Sequence, residues 1–178
     1  MAIVASDIKK RLSVTTGSAG DSTAQANPNN SLGKYISTTD ITDATLNNLF
    51  DDVSGAEASA GDVEYRCLFI LNNHATLTFY GATIAVLSQT ALGGSIDIAL
   101  DNLAVSAKGS ASAQAATIAD ESTGPGGSAG SFGAGPLTIG DMAPGQVKGI
   151  WVRRTVGSAT AAINPDGAIL RVSGDTLP

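Results

Sequence analysis

The chain has 178 residues, enough for one domain with a buried core. Its formal charge of −6 excludes the basic surface that binding to nucleic-acid phosphates requires. The single cysteine, Cys67, excludes an internal disulfide, and the single histidine, His74, excludes a metal site with several histidine ligands.

The composition favours β structure. Hydrophobic residues make up 43% of the chain and aromatic residues only 4%, so the core must consist mainly of aliphatic side chains. The 21 glycines and 6 prolines supply many turn positions and lower the helix propensity. We therefore expect a mainly β protein.

Residues 1–40 are polar and rich in turn residues, with a strong turn signal at 27–30. This composition predicts an extended N-terminal arm that lies across the domain or reaches onto a neighbour, and a partly disordered tail is the alternative. Its spaced apolar side chains are the candidate contact residues: Ile3, Ile8, Leu12, Leu32 and Tyr35.

A helix is predicted next, over residues 42–53. Leu46, Leu49, Phe50 and Val53 recur at the spacing of one helix face. We expect this short amphipathic helix to cover one end or face of a sheet.

The remaining segments alternate between strand-like runs and turns. Turn residues separate the runs and are typical of antiparallel connections. The pattern predicts a single antiparallel β-sandwich over 41–178, Ig-like or jelly-roll-like. The predicted strands are 64–71, 76–79, 82–87, 95–100, 137–139, 147–156 and 168–172.

Residues 105–136 are rich in Gly, Ala and Ser and form the predicted long loop. A loop of this length in a compact domain is either mobile or functional, for instance at an assembly contact. Ile118, Phe132 and Leu137 are expected to hold it at intervals.

No motif predicts catalysis or a cofactor. His74 lies in an Asn-rich turn with no nucleophile motif beside it. The run 124–129 matches a loose dinucleotide fingerprint but lacks the flanking strand and helix. The paired acids Asp51 and Asp52 match no calcium loop, and helix capping or solvation explains them. We therefore expect a protein that is not an enzyme and needs no cofactor or metal.

The segment 147–156 carries the most informative pattern. Its alternation places Trp151 and Arg153 on the face opposite Ile150 and Val152. Trp and Arg are enriched at protein interfaces, so this face is a candidate contact surface. The alternative is that Trp151 packs beneath the helix or the long loop.

Several stretches resemble a small protein encoded among the virion genes of tailed bacteriophages. They run along most of the chain: 7–13, 27–33, 49–53, 61–67 and 149–156. At one point the chain departs from that pattern, because Lys34 follows Ser-Leu-Gly where a second glycine is expected.

The resemblance implies a virion structural protein, most similar to a small head decoration (cement) protein. Its partners would be the major capsid protein or other virion proteins, with self-association into a homo-oligomer such as a trimer. A neck, tail or baseplate component is the alternative. A carbohydrate- or receptor-binding sandwich is a second one, against which the shortage of aromatic residues counts.

The same resemblance places the protein in the virion after synthesis in the host cytoplasm. The N-terminal segment lacks the charge order of a signal peptide. The chain also has no apolar run of the length that spans a bilayer, so we expect a soluble protein without membrane contact.

Overall fold

The computed structural model describes residues 2–20 and 22–176, and these fold into two antiparallel sheets. One α-helix, α1 (Gly55–Ala60), and 3-10 turns at Ala5–Asp7, Pro28–Asn30 and Gly126–Ser128 complete the regular structure of this part of the chain. The strands are β1 (Ile8–Val14), β2 (Tyr35–Asp40), β3 (Asp62–Asn72), β4 (Phe79–Gln89), β5 (Ser95–Leu100), β6 (Ser106–Ala107), β7 (Leu137–Met142), β8 (Gln146–Val156) and β9 (Ala168–Asp175).

The larger sheet has the strand order β2-β1-β3-β8-β5, with β6 also pairing with β8. Its centre is the pair β3 and β8, which stays in register from Asp62 opposite Val156 to Leu71 opposite Val147. The smaller sheet has the order β7-β4-β9 and packs over the larger one. The expected mainly β sandwich with one short helix is confirmed.

The larger sheet is buried on both faces. One face packs against the smaller sheet through an aliphatic core that includes Leu68, Ile84 and Ile150. The other face packs beneath the long loop and includes Phe69 and Trp151. Because both faces are covered, the central strands carry apolar residues at successive positions instead of alternating.

The N-terminal region is not an arm. β1 pairs with β3 on one side and with β2 on the other, so residues 8–14 and 35–40 belong to the larger sheet of their own chain. The polar, turn-rich composition of residues 1–40 predicted an extended arm, and that prediction is wrong for these two strands. In the sheet, Arg11 forms an ion pair with Asp40 of β2, and this neutralises both charges.

The helix predicted over 42–53 is also wrong. This segment, with Ile41 and Ser54, forms an irregular loop (the 41–54 loop) in which Ala44 and Asn47 have positive φ angles of 57° and 56°. Helical residues do not adopt such angles. The helix α1 begins at Gly55, directly after this loop. Ser54 caps its first turn and accepts a hydrogen bond from the backbone N–H of Glu57.

The strand predictions agree best in the middle of the chain. β5 has the predicted bounds, and β4 contains the run predicted over 82–87. Of the strand predicted over 76–79, β4 includes only Phe79, so the prediction is wrong for 76–78. On the side of β5 that faces the long loop, Ala99 is fully buried.

The long loop is a cover for the sheet. Ala113, Ala115 and Ile118 are buried in the core on its inner side. Single bridges join Thr117 to Gly33 and Gly133 to Ile98. In the part of the chain described here, no helix is long and apolar enough to cross a membrane.

Candidate interaction surface

The structure places the predicted arm contacts mostly inside the fold. Leu12 is 3% exposed in the core between the sheets, and Ile3 and Ile8 pack against the same core. Leu32 packs against the core beneath the long loop. Tyr35 is half-buried, with the ammonium group of Lys34 5.0 Å from its ring centre. These residues therefore make their contacts within their own chain.

Trp151 is fully buried under the long loop. Its indole Nε1 donates a hydrogen bond of 2.8 Å to Oδ2 of Asp101. The same Oδ2 accepts from the backbone N–H of Ala116, and Oδ1 accepts from that of Leu103. Trp151 therefore anchors the long loop, and the packing alternative holds for it.

Lys148 completes this buried group. Its Nζ donates to the backbone carbonyl oxygens of Asp101 and Leu103. Burial lowers the pKa of Lys148, and the charge of Asp101 partly offsets the effect. The strand thus presents a tryptophan and a lysine to one carboxylate and its neighbouring backbone.

Arg153 is the one predicted contact of this strand that reaches the surface. Its guanidinium group forms an ion pair of 2.6 Å with Asp97 and lies 4.9 Å from the ring centre of Phe132. The hydrogen bond that Arg153 donates to the Asp97 carboxylate raises the pKa of Arg153 above its ordinary value. Arg153 thus links β5 to the long loop, and because its side chain is 31% exposed it offers only part of its area to a partner.

A second charged cluster lies on the sandwich-facing side of the larger sheet. Glu64, Arg66 and Arg154 are all less than a tenth exposed. Glu64 accepts from Arg154 and, at 3.4 Å, from Arg66, while Arg66 also binds Glu121 of the long loop at 2.5 Å. Burial raises the pKa of Glu64, and the arginine charges oppose that rise. The cluster satisfies charges that the fold has removed from water.

This cluster fastens the 41–54 loop. Arg154 donates to the backbone carbonyl of Asp51 at 2.5 Å and to its carboxylate at 3.3 Å. Phe50 lies with its ring centre 5.2 Å from the guanidinium carbon of Arg66 and 4.9 Å from that of Arg154. The loop is thus held by cation–π contacts and hydrogen bonds to buried arginines.

A groove opens beside this loop, and we call it the end groove. It lies between the 41–54 loop and residues 160–168, has a volume of about 830 Å³, and has Leu68, Ile96 and Val152 in its lining. It is situated where β3, β5 and β9 begin and where β4 and β8 end. A second cavity of about 680 Å³ shares Lys10, Asp43 and Pro165 with it and extends along the start of β9.

Exposed apolar side chains concentrate around these two cavities. Leu46 lines the end groove and Ile169 lines the second cavity. Leu87 and Leu92 flank the segment 88–90, which also lines the second cavity. Their exposed fractions are 75% for Leu46, 56% for Ile169, 52% for Leu87 and 88% for Leu92. This end of the sandwich is the best candidate for a contact surface.

The groups that most often carry catalysis have structural partners. Nδ1 of His74 accepts hydrogen bonds from the backbone N–H groups of Thr76 and Leu77. Cys67 is fully buried, and its burial, with the charge of Asp101, raises the pKa of its thiol well above the ordinary value. Within residues 2–20 and 22–176, no group of His, Cys, Asp or Glu side chains is arranged to hold a metal ion.

Sequence reasoning missed the charged cluster and the role of Asp101. One signal for the cluster was available, since Glu64 and Arg66 share the strand parity of Leu68, which predicts a common face. Asp101 follows a strand directly and gave no comparable signal. Comparisons with protein-family models, curated proteins and solved structures found no match to the chain.

Proposed function

We propose that the chain is a structural protein of a tailed-phage virion that decorates the head and stabilises it by binding the major capsid protein. The observation that carries this proposal is the concentration of Leu46, Leu87, Leu92 and Ile169 at one end of the sandwich, each more than half exposed. Exposed apolar side chains gathered around a groove are typical of a protein-binding surface.

The anchoring of the surrounding loops supports a binding role. Arg154 and Arg66 hold the 41–54 loop from beneath. The backbone N–H of Gly94 donates a hydrogen bond of 2.7 Å to the Asp166 carboxylate, which ties two further segments together. A surface that is ordered before binding loses less conformational entropy when a partner docks. The arrangement therefore suits a protein that binds its partner with loops that are already ordered.

The charge of the surface indicates the partner's chemistry. The chain carries a net charge of −6, and Asp52 and Asp166 line the end groove, where Asp43 is already paired with Lys10. A segment with apolar side chains and accompanying Lys or Arg residues would complement it. The resemblance to phage virion proteins supports the major capsid protein as the source of that segment.

Neither His74 nor Cys67 supports an enzymatic role. His74 is occupied by two backbone N–H groups and Cys67 lies in the core. Both residues therefore contribute to the fold, which favours a structural protein over an enzyme.

The test uses particles produced from the genome that encodes the chain. Heads and tails are separated and probed with an antibody raised against the purified protein, and we expect the signal in the heads. A signal confined to tails would replace the head role with a neck, tail or baseplate role. Its absence from both fractions would refute the virion proposal.

A binding assay then locates the surface. Heads lacking the protein are mixed with the double variant Leu46→Ser, Leu92→Ser, whose affinity we expect to fall about tenfold or more through lost apolar contact. The matched control is Val4→Ser, because Val4 is 58% exposed but precedes β1 at the opposite end of the sandwich. Equal binding of both variants would remove the end groove as the contact.

A further inference from the structure

The fold covers two of its outer strand edges with its own loops. At β2, the backbone N–H of Thr38 donates to the carbonyl oxygen of Thr23 at 3.0 Å. At β5, Ile98 and Gly133 exchange two backbone hydrogen bonds of 2.8 and 3.0 Å. Covering an edge in this way prevents another chain from pairing with it.

The outer edge of β9 has no such cover. This eight-residue strand pairs with β4 on one side. Within the part of the chain that the structure describes, no backbone hydrogen bond reaches its other side. An open edge of this length is a template for an additional strand.

The side chains of β9 separate by parity. Leu170 and Val172 pack against the core between the sheets. Ile169, Arg171, Ser173 and Asp175 are exposed on the outer face. Among residues 2–20 and 22–176, neither Arg171 nor Asp175 forms an ion pair. The outer face of the open edge thus carries one unpaired charge of each sign, four residues apart.

We infer that two copies of the chain associate edge to edge through β9, in antiparallel register with Ser173 opposite Ser173 of the second copy. In this register Arg171 of each copy lies directly opposite Asp175 of the other. Two-fold symmetry forms that pair twice. Opposite charges at directly facing positions stabilise antiparallel strands.

The charge pattern selects this register and this occupant. A pairing centred on Arg171 would place like charges opposite each other, which is destabilising. The apolar residues Leu170 and Val172 keep to the core side in both copies, so the two smaller sheets join into one sheet of six strands. A partner without the same spacing of charges would leave Arg171 and Asp175 unpaired.

This inference rests on the proposal that the chain works by assembly, and it names the contact between copies. The inference about β9 and the proposed head-binding function can fail independently of each other. Self-association is measured on purified protein without any virion component, whereas head binding is measured on particles. A monomer that still binds heads would overturn only the inference drawn from β9.

The test is sedimentation equilibrium of the full chain at roughly 100 µM, because a small interface is expected to bind weakly. We expect twice the chain mass of 17.7 kDa. The variants Arg171→Asp and Asp175→Arg should each raise the dimer Kd about tenfold or more, since each replaces two attractive pairs with two repulsive ones. The double variant Arg171→Asp, Asp175→Arg should restore the wild-type Kd.

The design controls for net charge and for folding. The two single variants change the net charge in opposite directions, and the double variant keeps the wild-type charge. Circular dichroism confirms that each variant retains its β structure. A monomeric wild type, single variants with unchanged Kd, or a folded double variant that stays as weak as the single ones would each overturn the inference.

Discussion

Trp151 and Asp101 meet beneath the long loop, where the indole Nε1 donates to the carboxylate across 2.8 Å and both side chains are at most 3% exposed. The carboxylate also accepts the backbone N–H groups of Leu103 and Ala116. One side chain therefore satisfies three donors, the buried indole Nε1 and two partly buried backbone N–H groups.

Replacing this carboxylate should be costly. We expect Asp101→Ala to lower the free energy of unfolding by about 3 kcal/mol or more, because it leaves buried donors unpaired. Urea denaturation measures the loss. The control is Asp97→Ala, which removes a partly exposed ion pair with Arg153 and should cost less than about 1 kcal/mol. Equal losses would show that the Asp101 contacts contribute little.

Gly33 should not tolerate a side chain. Its φ angle is +94°, and a Cβ there would lie 1.8 Å from the carbonyl oxygen of Ala116 and 3.2 Å from the Trp151 ring. We expect Gly33→Ala to destabilise the fold by about 2 kcal/mol or more through strain and the displaced loop. Gly127→Ala is the matched change in the long loop, since nothing lies within 4 Å of its Cβ position. Similar thermal midpoints for both variants would contradict this account.

The buried pair Glu64 and Arg154 gives a third prediction. Glu64→Gln leaves the arginine without its nearest countercharge, so we expect a loss of about 3 kcal/mol in the free energy of unfolding. The double variant Glu64→Leu, Arg154→Met should recover most of that loss, because it removes the two charges together and leaves Arg66 its ion pair with Glu121. A double variant that is less stable than Glu64→Gln would show that the cluster contributes more than mutual neutralisation. Chemical denaturation provides the comparison.

The 41–54 loop offers a matched pair of leucines. Leu49 is 8% exposed and belongs to the core between the sheets, whereas Leu46 is 75% exposed. We expect Leu49→Ala to cost about 2–5 kcal/mol and Leu46→Ala to cost close to nothing. Thermal unfolding of both variants checks this difference, and equal stability would mean that the loop does not anchor through Leu49.

Asp40 should make stability depend on acidity. Burial raises the pKa of Asp40, but the hydrogen bond and charge of Arg11, together with Lys9, outweigh it and hold the pKa below its ordinary 3.8. A depressed pKa in the folded state stabilises the fold above pH 3.8, and this stabilisation is lost as the pH falls below that value. We expect the thermal midpoint of the wild type to fall more steeply there than that of Asp40→Asn. Asp52→Asn, which changes an exposed carboxylate, serves as the control. A steeper fall of the thermal midpoint in Asp40→Asn than in the wild type would contradict a lowered pKa of Asp40 in the folded state.

Strands were predictable from the sequence where their own residues carry the pattern. β5 follows two glycines and alternates, and its bounds were predicted without error. β1 was missed because the polar, turn-rich composition of residues 1–40 predicted an extended arm. The partners of its charged residues, among them Asp40 and Asp43, lie 29 to 33 residues away along the chain. Only the paired sheet shows that these charges are neutralised.

The 41–54 loop was predicted as a helix for a similar reason. Leu46, Leu49, Phe50 and Val53 have helical spacing, yet an irregular loop can place apolar anchors at the same intervals. Positive φ at Ala44 and Asn47 and the hold of Arg154 on Asp51 decide the outcome. The groove depends on that loop and on residues 160–168, so its position could not be predicted before the strands were paired.

The central position of β8 has a consequence for biosynthesis. β8 pairs with β3 on one side and with β5 and β6 on the other, and all three partners precede it along the chain. Until β8 leaves the ribosome, no strand joins β3 to β5 or β6, and the apolar edge of β3 stays open. Such nascent chains are prone to aggregate and to engage chaperones. Slower translation after residue 156 would give β8 more time to pair with these strands.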